Sequence, residues 1–302
     1  MTVLVTGGTG FVAGWTIAAL LEQGHEVRTT TRGRRPAVPG RYEVVKADLM
    51  SDEGWAEAME GVQHVLHVAS PMTGGDDLIG PARDGTLRVL RFAVEAGVER
   101  VVMTSSCAAA TPPEGSTGSF DETTWTDPSG VKIDEYRRSK LLAEQAAWEF
   151  MRGKKTSLVT VLPGAVFGPI QTRDNMGSVR VIERVMGGMP GVPRIGLNIV
   201  DVRDVADLHI RAMTAPDAAG ERFIAVSEFM WMSEVARTLD APSREMPDFV
   251  VRAASVVAKD MRQLVPMLGR SYTYSHDKAS SMLGWAPRPA RDTVLECAAS
   301  LR

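Results

Sequence analysis

Tyr136 and Lys140 stand four residues apart in the segment "DEYRRSKLLAEQ", residues 134–145. Residues at i and i+4 of a helix share one face, so the phenol and the ammonium would meet. A free tyrosine has a pKa of about 10, and a neighbouring ammonium favours the phenolate, which suits the pair to proton transfer. Tyr274 and Lys278 have the same spacing. Spacing alone therefore does not separate a catalytic pair from a surface helix.

Short β-branched segments alternate with longer helical segments in the first half of the chain. The predicted strands span 2–7, 25–31, 42–48, 62–70, 100–106 and 156–164, and the predicted helices span 10–23, 51–60, 78–96 and 135–152. Strict alternation of apolar strands with helices is typical of βαβ units and of a parallel sheet covered on both faces. Because the crossovers are right-handed, we predict a doubly wound α/β sheet.

The glycine-rich turn "VLVTGGTGFVAGW" joins the first predicted strand to the first predicted helix. Gly7 and Gly8 allow a tight turn and a close backbone approach, and Gly10 opens a helix whose free N–H groups and dipole favour a pyrophosphate. Ala13 replaces the third glycine of the usual spacing, which sets helix and strand slightly further apart. This context predicts a dinucleotide site, and the alternative is a turn without a ligand.

The second predicted strand ends in "TTTRGRR", where an NAD site of this kind would carry an Asp or Glu for the ribose hydroxyls. Thr31 stands there instead, and Arg32, Arg34 and Arg35 follow. Guanidinium groups suit a 2′-phosphate, so the segment favours NADP(H) over NAD. The alternative is a solvated basic loop.

The end of the fifth predicted strand and the start of the helix with Tyr136 both belong to the ligand crevice of such a sheet. Reduction of a carbonyl needs a hydride on carbon and a proton on oxygen. We expect Tyr136 to donate the proton, Lys140 to tune it and Ser106 to hold the carbonyl oxygen, although Ser105 is an alternative to Ser106. Tyr274 lacks this setting, because Asp277 after it is predicted to be a helix N-cap.

Beyond Pro163 the alternation loosens. Residues 163–174 and 187–196 are rich in Gly and Pro, and 226–302 are mostly helical segments broken by prolines. The segment 198–213 predicts a strand and a helix that return to the first domain. The predicted domains are a dinucleotide-binding domain, 1–162 with about 198–225, and a smaller, mostly helical substrate lobe, 163–197 with 226–302.

Bulk composition excludes several classes of function. With 44% hydrophobic residues, 24% charged residues and a net charge of −3, the chain gives no reason to expect nucleic acid or an anionic membrane as partner. No apolar run approaches a membrane span, and the strand-like pattern starts at the second residue, so we expect no leader. Two cysteines suit a reducing cytoplasm. His64 and His67 would face opposite sides of one strand, so we expect no metal site.

In these features the sequence resembles the extended short-chain dehydrogenase/reductases along nearly its whole length. Within that branch it is most similar to the dihydroflavonol 4-reductase and yeast-type aldehyde/ketone reductase group. The features that carry this similarity are Ala13, Arg32 at the end of the second strand, and the segment "AEQAAWEF" after Lys140. Nucleotide-sugar epimerases of the same branch usually carry an acid where Thr31 stands. The matching segments are "TGGTGFVA", "ADL" at 47–49, "HVAS" at 67–70, "MTSS", "YRRSK", "LPGAVFGP" and "LGWAPRP".

The resemblance implies NADPH-dependent reduction of an aldehyde or ketone, with Ser106, Tyr136 and Lys140 as the catalytic triad. It implies that Lys140 also bonds the nicotinamide ribose, that Asp48 and Leu49 contact the adenine, and that 163–166 line the nicotinamide. By position it assigns cofactor contacts to Thr6, Gly7, Gly10, Phe11, Val12, Arg32, Arg35, Asp48, Leu49, Ala69, Ser70, Tyr136, Lys140, Pro163, Gly164 and Val166.

The substrate, the stereochemistry and the choice between monomer and homodimer stay open at this stage. We expect a mid-sized, fairly apolar carbonyl compound in a pocket lined by Met72, Cys107, Ala108, Ile170 and Met176. One alternative is an NAD-dependent nucleotide-sugar epimerase or dehydratase, for which Arg173, Arg180, Arg184 and Arg194 are available. A second is a non-catalytic dinucleotide-sensing regulator, which the intact Ser–Tyr–Lys set argues against.

Overall fold

The computed structural model describes residues 1–70, 78–129, 134–173, 176–189, 191–257, 262 and 264–302. Its helices are α1 (Phe11–Glu22), α2 (Trp55–Met59), α3 (Ile79–Glu95), α4 (Glu135–Met151), α5 (Val179–Met186), α6 (Val202–Thr214), α7 (Met232–Thr238), α8 (Asp248–Val257), α9 (Asp277–Leu283) and α10 (Ala290–Leu301). Its strands are β1 (Thr2–Val5), β2 (Glu26–Thr31), β3 (Glu43–Lys46), β4 (His64–His67), β5 (Arg100–Thr104), β6 (Ser119–Phe120), β7 (Ser157–Pro163), β8 (Ala165–Phe167), β9 (Val192–Pro193), β10 (Gly196–Asp201), β11 (Arg222–Ala225), β12 (Glu228–Trp231), β13 (Glu245–Met246) and β14 (Thr273–Tyr274).

Seven parallel strands form the main sheet in the order β11-β7-β5-β4-β1-β2-β3. The strand order reverses between β1 and β4, which is where an open α/β sheet opens a crevice at the carboxyl ends of its strands. The predicted doubly wound fold is therefore confirmed, and each predicted strand and helix of the first domain lies within a few residues of an observed one.

Two apolar cores cover the faces of this sheet. Val3 and Val5 of β1 pack with Ile17 of α1 on one face, whereas Leu4 packs with Leu90 of α3 on the other. Successive side chains of a strand point to opposite faces, so a continuous apolar strand requires helices on both sides. All of these side chains are fully buried, and each contributes about 1.5–3 kcal/mol relative to an exposed position.

The remaining strands form three small sheets: β12-β10-β8, β13-β9 and β14-β6. Helices α5, α7 and α10 share an apolar cluster beside the first of them. The sequence predicted mostly helices here, and these strands of two to six residues were not predicted except for β10.

The segment that returns to the main sheet differs from the predicted one. Helix α6 packs against α1 as expected. Strand β10, however, pairs with β8 and β12 outside the main sheet, and β11 is the strand that extends it beside β7. Every residue of β11 is buried, so its pairing depends on the surrounding fold more than on local periodicity.

No helix in the part of the chain that the structure describes has the length and apolarity needed to cross a bilayer.

Candidate active site

The glycine turn leaves the start of α1 open to a ligand. Gly7 has a φ of +71°, and a Cβ there would lie 2.9 Å from the Cβ of Ala69, so β1 and β4 approach closely at this point. Gly10 is the N-cap of α1, with no side-chain cap and no acidic residue in the first turn. The N–H groups of that turn therefore lack intrahelical partners and favour an anion such as a pyrophosphate. The turn fits a dinucleotide.

Thr6 ties the ends of β1 and β4 together. Its buried hydroxyl accepts the Ala69 N–H at 3.0 Å and lies 2.9 Å from His67 Nδ1. Burial, helped by the charge of Lys140, lowers the pKa of His67 to about 3, so this imidazole is neutral. Sequence reasoning considered His67 only as a metal ligand and missed this contact.

The loop after β2 carries exposed arginines and has no acidic residue at the end of the strand. Arg32 and Arg35 are exposed. The position where an NAD site would carry a carboxylate is occupied by Thr31, which is buried and accepts the Gly33 N–H at 3.2 Å. The Arg35 guanidinium carbon lies 4.9 Å from the centre of the Tyr42 ring, which holds that side chain by a cation–π contact.

Asp48 and Leu49 follow β3, on the side where the resemblance implies the adenine. Asp48 Oδ1 accepts the Met50 N–H at 2.9 Å, and its carbonyl accepts from Trp55 Nε1 at 3.0 Å. Leu49 packs closely on α3, where a Cβ on Gly85 would lie 2.8 Å from the Cβ of Leu49. The loop is fixed by these contacts.

Tyr136 and Lys140 lie in the first turns of α4. Asp134 caps this helix, accepting the Arg137 N–H at 2.7 Å. Lys140 is only 5% exposed, and its Nζ donates to Ser70 Oγ at 3.0 Å. Burial lowers the pKa of Lys140 to about 8 against the opposing charge of Glu144.

Burial also controls the phenol. It raises the pKa of Tyr136, and a hydrogen bond with the Ser106 side chain and the charge of Arg137 oppose the increase. Desolvation disfavours the phenolate, so Tyr136 keeps its proton at neutral pH instead of titrating close to it, as its spacing with Lys140 had suggested.

The two serines after β5 face different partners. Ser105 is buried and donates to Glu144 Oε2 at 2.6 Å. Ser106 lies where it lowers the pKa of the Tyr136 phenol, and it accepts the Ala108 N–H at 3.1 Å, capping the 3-10 turn Cys107–Ala110. The structure thus brings Ser106, and not Ser105, to the phenol.

Glu144 holds α4 against the sheet and was missed in the sequence. It is fully buried and accepts hydrogen bonds from Thr160 Oγ1 and Arg222 Nε, both at 2.8 Å, as well as from Ser105. No local pattern links Glu144 to Arg222, because 78 residues separate them. A buried ion pair that is also hydrogen-bonded fixes both partners in place.

The predicted pocket residues fall into separate regions. Cys107 is buried, donates to the Leu162 carbonyl at 3.1 Å and belongs to the cluster of Tyr272 and Tyr274. Ala108 is its half-buried neighbour. Ile170 and Met176 pack instead in the cluster of α5, α7 and α10, and Met72 lies outside the described residues. The pocket stays a prediction.

The second Tyr–Lys pair is structural. Tyr274 donates to the Cys107 and Ala110 carbonyls at 3.1 and 3.0 Å, and Lys278 pairs with Glu221. Helix α9 begins at Asp277, but its N-cap is His276 and not Asp277 as predicted. Among the residues that the structure describes, no cluster of His, Cys, Asp and Glu side chains is arranged to hold a metal ion.

Residues 3–225 match the NAD dependent epimerase/dehydratase family. The chain belongs to this family. Its motifs had predicted the extended short-chain dehydrogenase/reductases, and that prediction is confirmed. Cinnamoyl-CoA reductase 1 of Petunia hybrida is 33% identical over 99% of this chain and 92% of the relative. Tetraketide alpha-pyrone reductase 2 of Arabidopsis thaliana is 33% identical over 77% of this chain and 79% of the relative.

Solved structures of reductases have the same fold as this family member. The yeast methylglyoxal/isovaleraldehyde reductase Gre2, complexed with NADPH, has a TM-score of 0.82 at 25% identity and covers 100% of this chain and 98% of its own. Vestitone reductase from alfalfa (Medicago sativa) has a TM-score of 0.78 at 25% identity, with coverage of 99% and 97%. These neighbours and the curated relatives are oxidoreductases that act on small molecules.

Proposed function

We propose that the protein reduces an aldehyde or ketone to the alcohol with NADPH. The observation that carries this proposal is the position of Ser106 beside the Tyr136 phenol, whose pKa it lowers, with the buried Lys140 one turn further along α4. Contacts connect this group to the glycine turn, because Lys140 bonds to Ser70 and the adjacent Ala69 packs on Gly7. These contacts support a single site that contains both the proton donor and the dinucleotide turn.

The residues of the chain divide the work on the carbonyl oxygen. NADPH supplies the hydride for the carbonyl carbon when it is bound. Ser106 donates a hydrogen bond that holds the oxygen, and Tyr136 gives it the proton. The raised pKa of Tyr136 keeps the phenol protonated at neutral pH, which is the form that reduction needs. Lys140, held by Ser70, supplies the positive charge that stabilises the phenolate left behind.

The choice of NADPH rests on the loop after β2. Arg32 and Arg35 are exposed cations at the end of that strand, and Thr31 leaves no carboxylate to repel a 2′-phosphate. Arg35 is already positioned by Tyr42, whereas Arg32 is the first cation after the strand. The NADPH complex of the yeast reductase supports the same choice.

The epimerase alternative receives less support from the second lobe. Arg173 donates to the Leu301 carbonyl at 2.6 Å, and Arg194 pairs with Asp248 at 2.7 Å, so two of the cations considered for a sugar diphosphate already have partners. The regulator alternative gives no reason for a serine placed at the Tyr136 phenol and a buried lysine one turn further along the same helix.

The test follows NADPH oxidation by its near-ultraviolet absorbance with a panel of aldehydes and ketones. We expect turnover with NADPH, much slower turnover with NADH, and a loss of turnover in Tyr136→Phe. Conversion of a nucleotide sugar without net oxidation of added NADPH would instead assign the protein to the epimerases.

A further inference from the structure

A small cavity of about 30 Å³ lies between the first turn of α4, strand β10 and the segment that precedes β14. Arg137, Asn198 and Arg270 line it together with Tyr272. Phe229 lines the apolar side of the cavity next to Gly196, and only a glycine fits there, since a Cβ on residue 196 would lie 2.2 Å from the Phe229 ring. The enclosure is large enough for a carboxylate or a few waters and too small for a diphosphate.

This cavity collects polar atoms that have no partner. Among the described residues, four buried side-chain nitrogen or oxygen atoms lack a hydrogen bond, and three of them belong to residues that line this cavity. They are Arg137 Nε, Arg270 Nη1 and Asn198 Oδ1. Buried polar groups are nearly always paired, so a cluster of unpaired donors on two guanidinium groups indicates a site for a ligand.

The charge of the cluster selects an anion. Arg137 pairs with Asp134 through Nη1, so the two guanidinium groups and Asp134 together carry one positive charge. A single carboxylate would neutralise that charge and accept hydrogen bonds from both arginines, in the planar geometry that guanidinium groups favour. Asn198 Nδ2 is used by the Tyr272 carbonyl at 3.2 Å, so its Oδ1 is left to accept from a substrate hydroxyl or a water.

The cavity adjoins the proposed reaction site on two sides. Arg137 directly follows Tyr136, and its charge acts on the Tyr136 phenol. On the other side the Asn198 carbonyl lies against Gly164, where a Cβ would come within 2.1 Å of that oxygen. Gly164 belongs to the segment proposed to line the nicotinamide. A substrate held between Tyr136 and this segment can therefore extend a substituent into the cavity.

We propose that the substrate is a carbonyl compound that bears a carboxylate, and that Arg137 and Arg270 bind this carboxylate. The inference rests on the proposed reductase function and deepens it, because it replaces the expectation of a fairly apolar substrate by an oxo acid. Arg137 and Arg270 then determine specificity, whereas Ser106, Tyr136 and Lys140 act on the carbonyl group.

The experiment compares oxo acids with their methyl esters, because the ester keeps the carbonyl and removes only the charge. In the wild-type protein with NADPH, kcat/KM should be at least tenfold higher for the acid, as expected for a charged hydrogen bond. In Arg270→Gln and Arg137→Gln the ratio of acid to ester should fall at least tenfold. The control is Arg138→Gln, since Arg138 is an exposed neighbour on α4 that bonds only to the Pro128 carbonyl in the described residues, and it should leave the ratio unchanged.

The outcomes separate this inference from the reductase function. Equal kcat/KM for acid and ester in the wild-type protein would overturn the carboxylate site, leave the reductase function standing and assign only water to the cavity. No reduction of either substrate would overturn both. Should a Gln variant fail to fold, Arg270→Lys keeps the charge but not the planar fork. The ratio of acid to ester should fall in that folded variant, and a ratio that stays at the wild-type value would overturn the assignment of Arg270 to the carboxylate.

Discussion

At the scale of single residues, the site depends on the opposite effects of burial on two side chains. Burial raises the pKa of Tyr136 and lowers the pKa of Lys140 to about 8, so each pKa moves in the direction that favours the neutral form, while both groups keep their protons at neutral pH. The pair therefore starts from a protonated phenol and, one turn further along α4, an ammonium whose pKa lies close to neutral pH. In the proposed reaction, the proton that leaves Tyr136 creates a phenolate that the ammonium would stabilise, and this arrangement suits a reversible proton donor.

Removal of the phenolic hydroxyl tests this assignment. Tyr136→Phe keeps the ring that packs in the site but loses the proton, so we expect kcat to fall by about 10²–10⁴ with little change in cofactor affinity. Steady-state kinetics with NADPH would measure it. Tyr274→Phe is the matched control. The Tyr274 hydroxyl holds the carbonyls of the 3-10 turn, so its loss should reduce stability while most of kcat remains. The reverse pattern would exchange the roles of the two tyrosines.

Cofactor choice belongs to the same scale. Arg32→Ala should raise the KM for NADPH at least tenfold and leave NADH kinetics nearly unchanged, because a hydrogen bond to a charged group contributes about 1.5–3 kcal/mol and NADH has no 2′-phosphate. Arg41→Ala, an exposed cation further along the same segment, is the control and should change neither. Equal damage with both cofactors would show that Arg32 supports the loop itself.

Residue types and spacing predicted Tyr136, Lys140 and the two serines, but not which serine meets the phenol. That choice depends on which side of the β5 end faces α4, and only the packed structure places Ser105 on Glu144 and Ser106 on Tyr136. Arg137 and Arg270 were also beyond sequence reasoning. They come from distant segments, and neither shows a motif until the fold brings both to one cavity.

At the scale of elements, the hydrophobic periodicity of the sequence predicted the strands and helices whose formation depends on their local pattern. Strands β1 to β5 and β7 and helices α1 to α4 are long or apolar enough for their pattern to decide them. Strands such as β9, β13 and β14 are two residues long, and they exist only because a partner strand lies beside them. Such pairings arise from tertiary contacts, which the local sequence does not encode.

Helix α4 offers a test of how an element is held. Glu144→Gln keeps the size of the side chain but leaves Arg222 buried without its counter-charge, so we expect a loss of about 3–5 kcal/mol in the free energy of unfolding. Urea denaturation would measure this loss. Glu149→Gln on the same helix is the control, because its ion pair with Arg152 is exposed and is worth about 1 kcal/mol or less. Similar losses in both variants would mean that the buried ion pair contributes no more to the free energy of unfolding than an exposed one.

Loss of the Glu144 charge should also act on the neighbouring turn of α4. Glu144 raises the pKa of Lys140, so Glu144→Gln should lower that pKa further below about 8. The ammonium would then be neutral over more of the pH range of activity. The structural pair and the catalytic pair are thus coupled along one helix.

At the scale of the whole molecule, the carboxyl edge of the main sheet is held by two buried histidines. His67 of β4 bonds to Thr6 of β1. His209 of α6 donates from Nδ1 to the Val205 carbonyl at 2.7 Å, and its Nε2 accepts from Thr104 at the end of β5 at 2.7 Å. Burial lowers the pKa of His67 to about 3 and that of His209 to about 4. Both imidazoles are therefore neutral wherever the protein is folded near neutral pH.

These histidines predict how stability depends on pH. In the unfolded chain both titrate near pH 6.5, so below that pH the unfolded state takes up protons that the folded state does not, and the free energy of unfolding falls as the pH falls. Each histidine contributes a slope of at most about 1.4 kcal/mol per pH unit between pH 6.5 and its folded pKa, which gives a total loss of about 2–4 kcal/mol between pH 7 and pH 5. Urea denaturation at pH 7, 6 and 5 would measure it. His67→Gln and His209→Gln should each flatten the pH dependence. A wild-type stability that stays constant from pH 7 to pH 5 would show that the two imidazoles accept protons in the folded state. Their hydrogen bonds to Thr6 and Thr104 would then not be what holds the carboxyl edge of the main sheet.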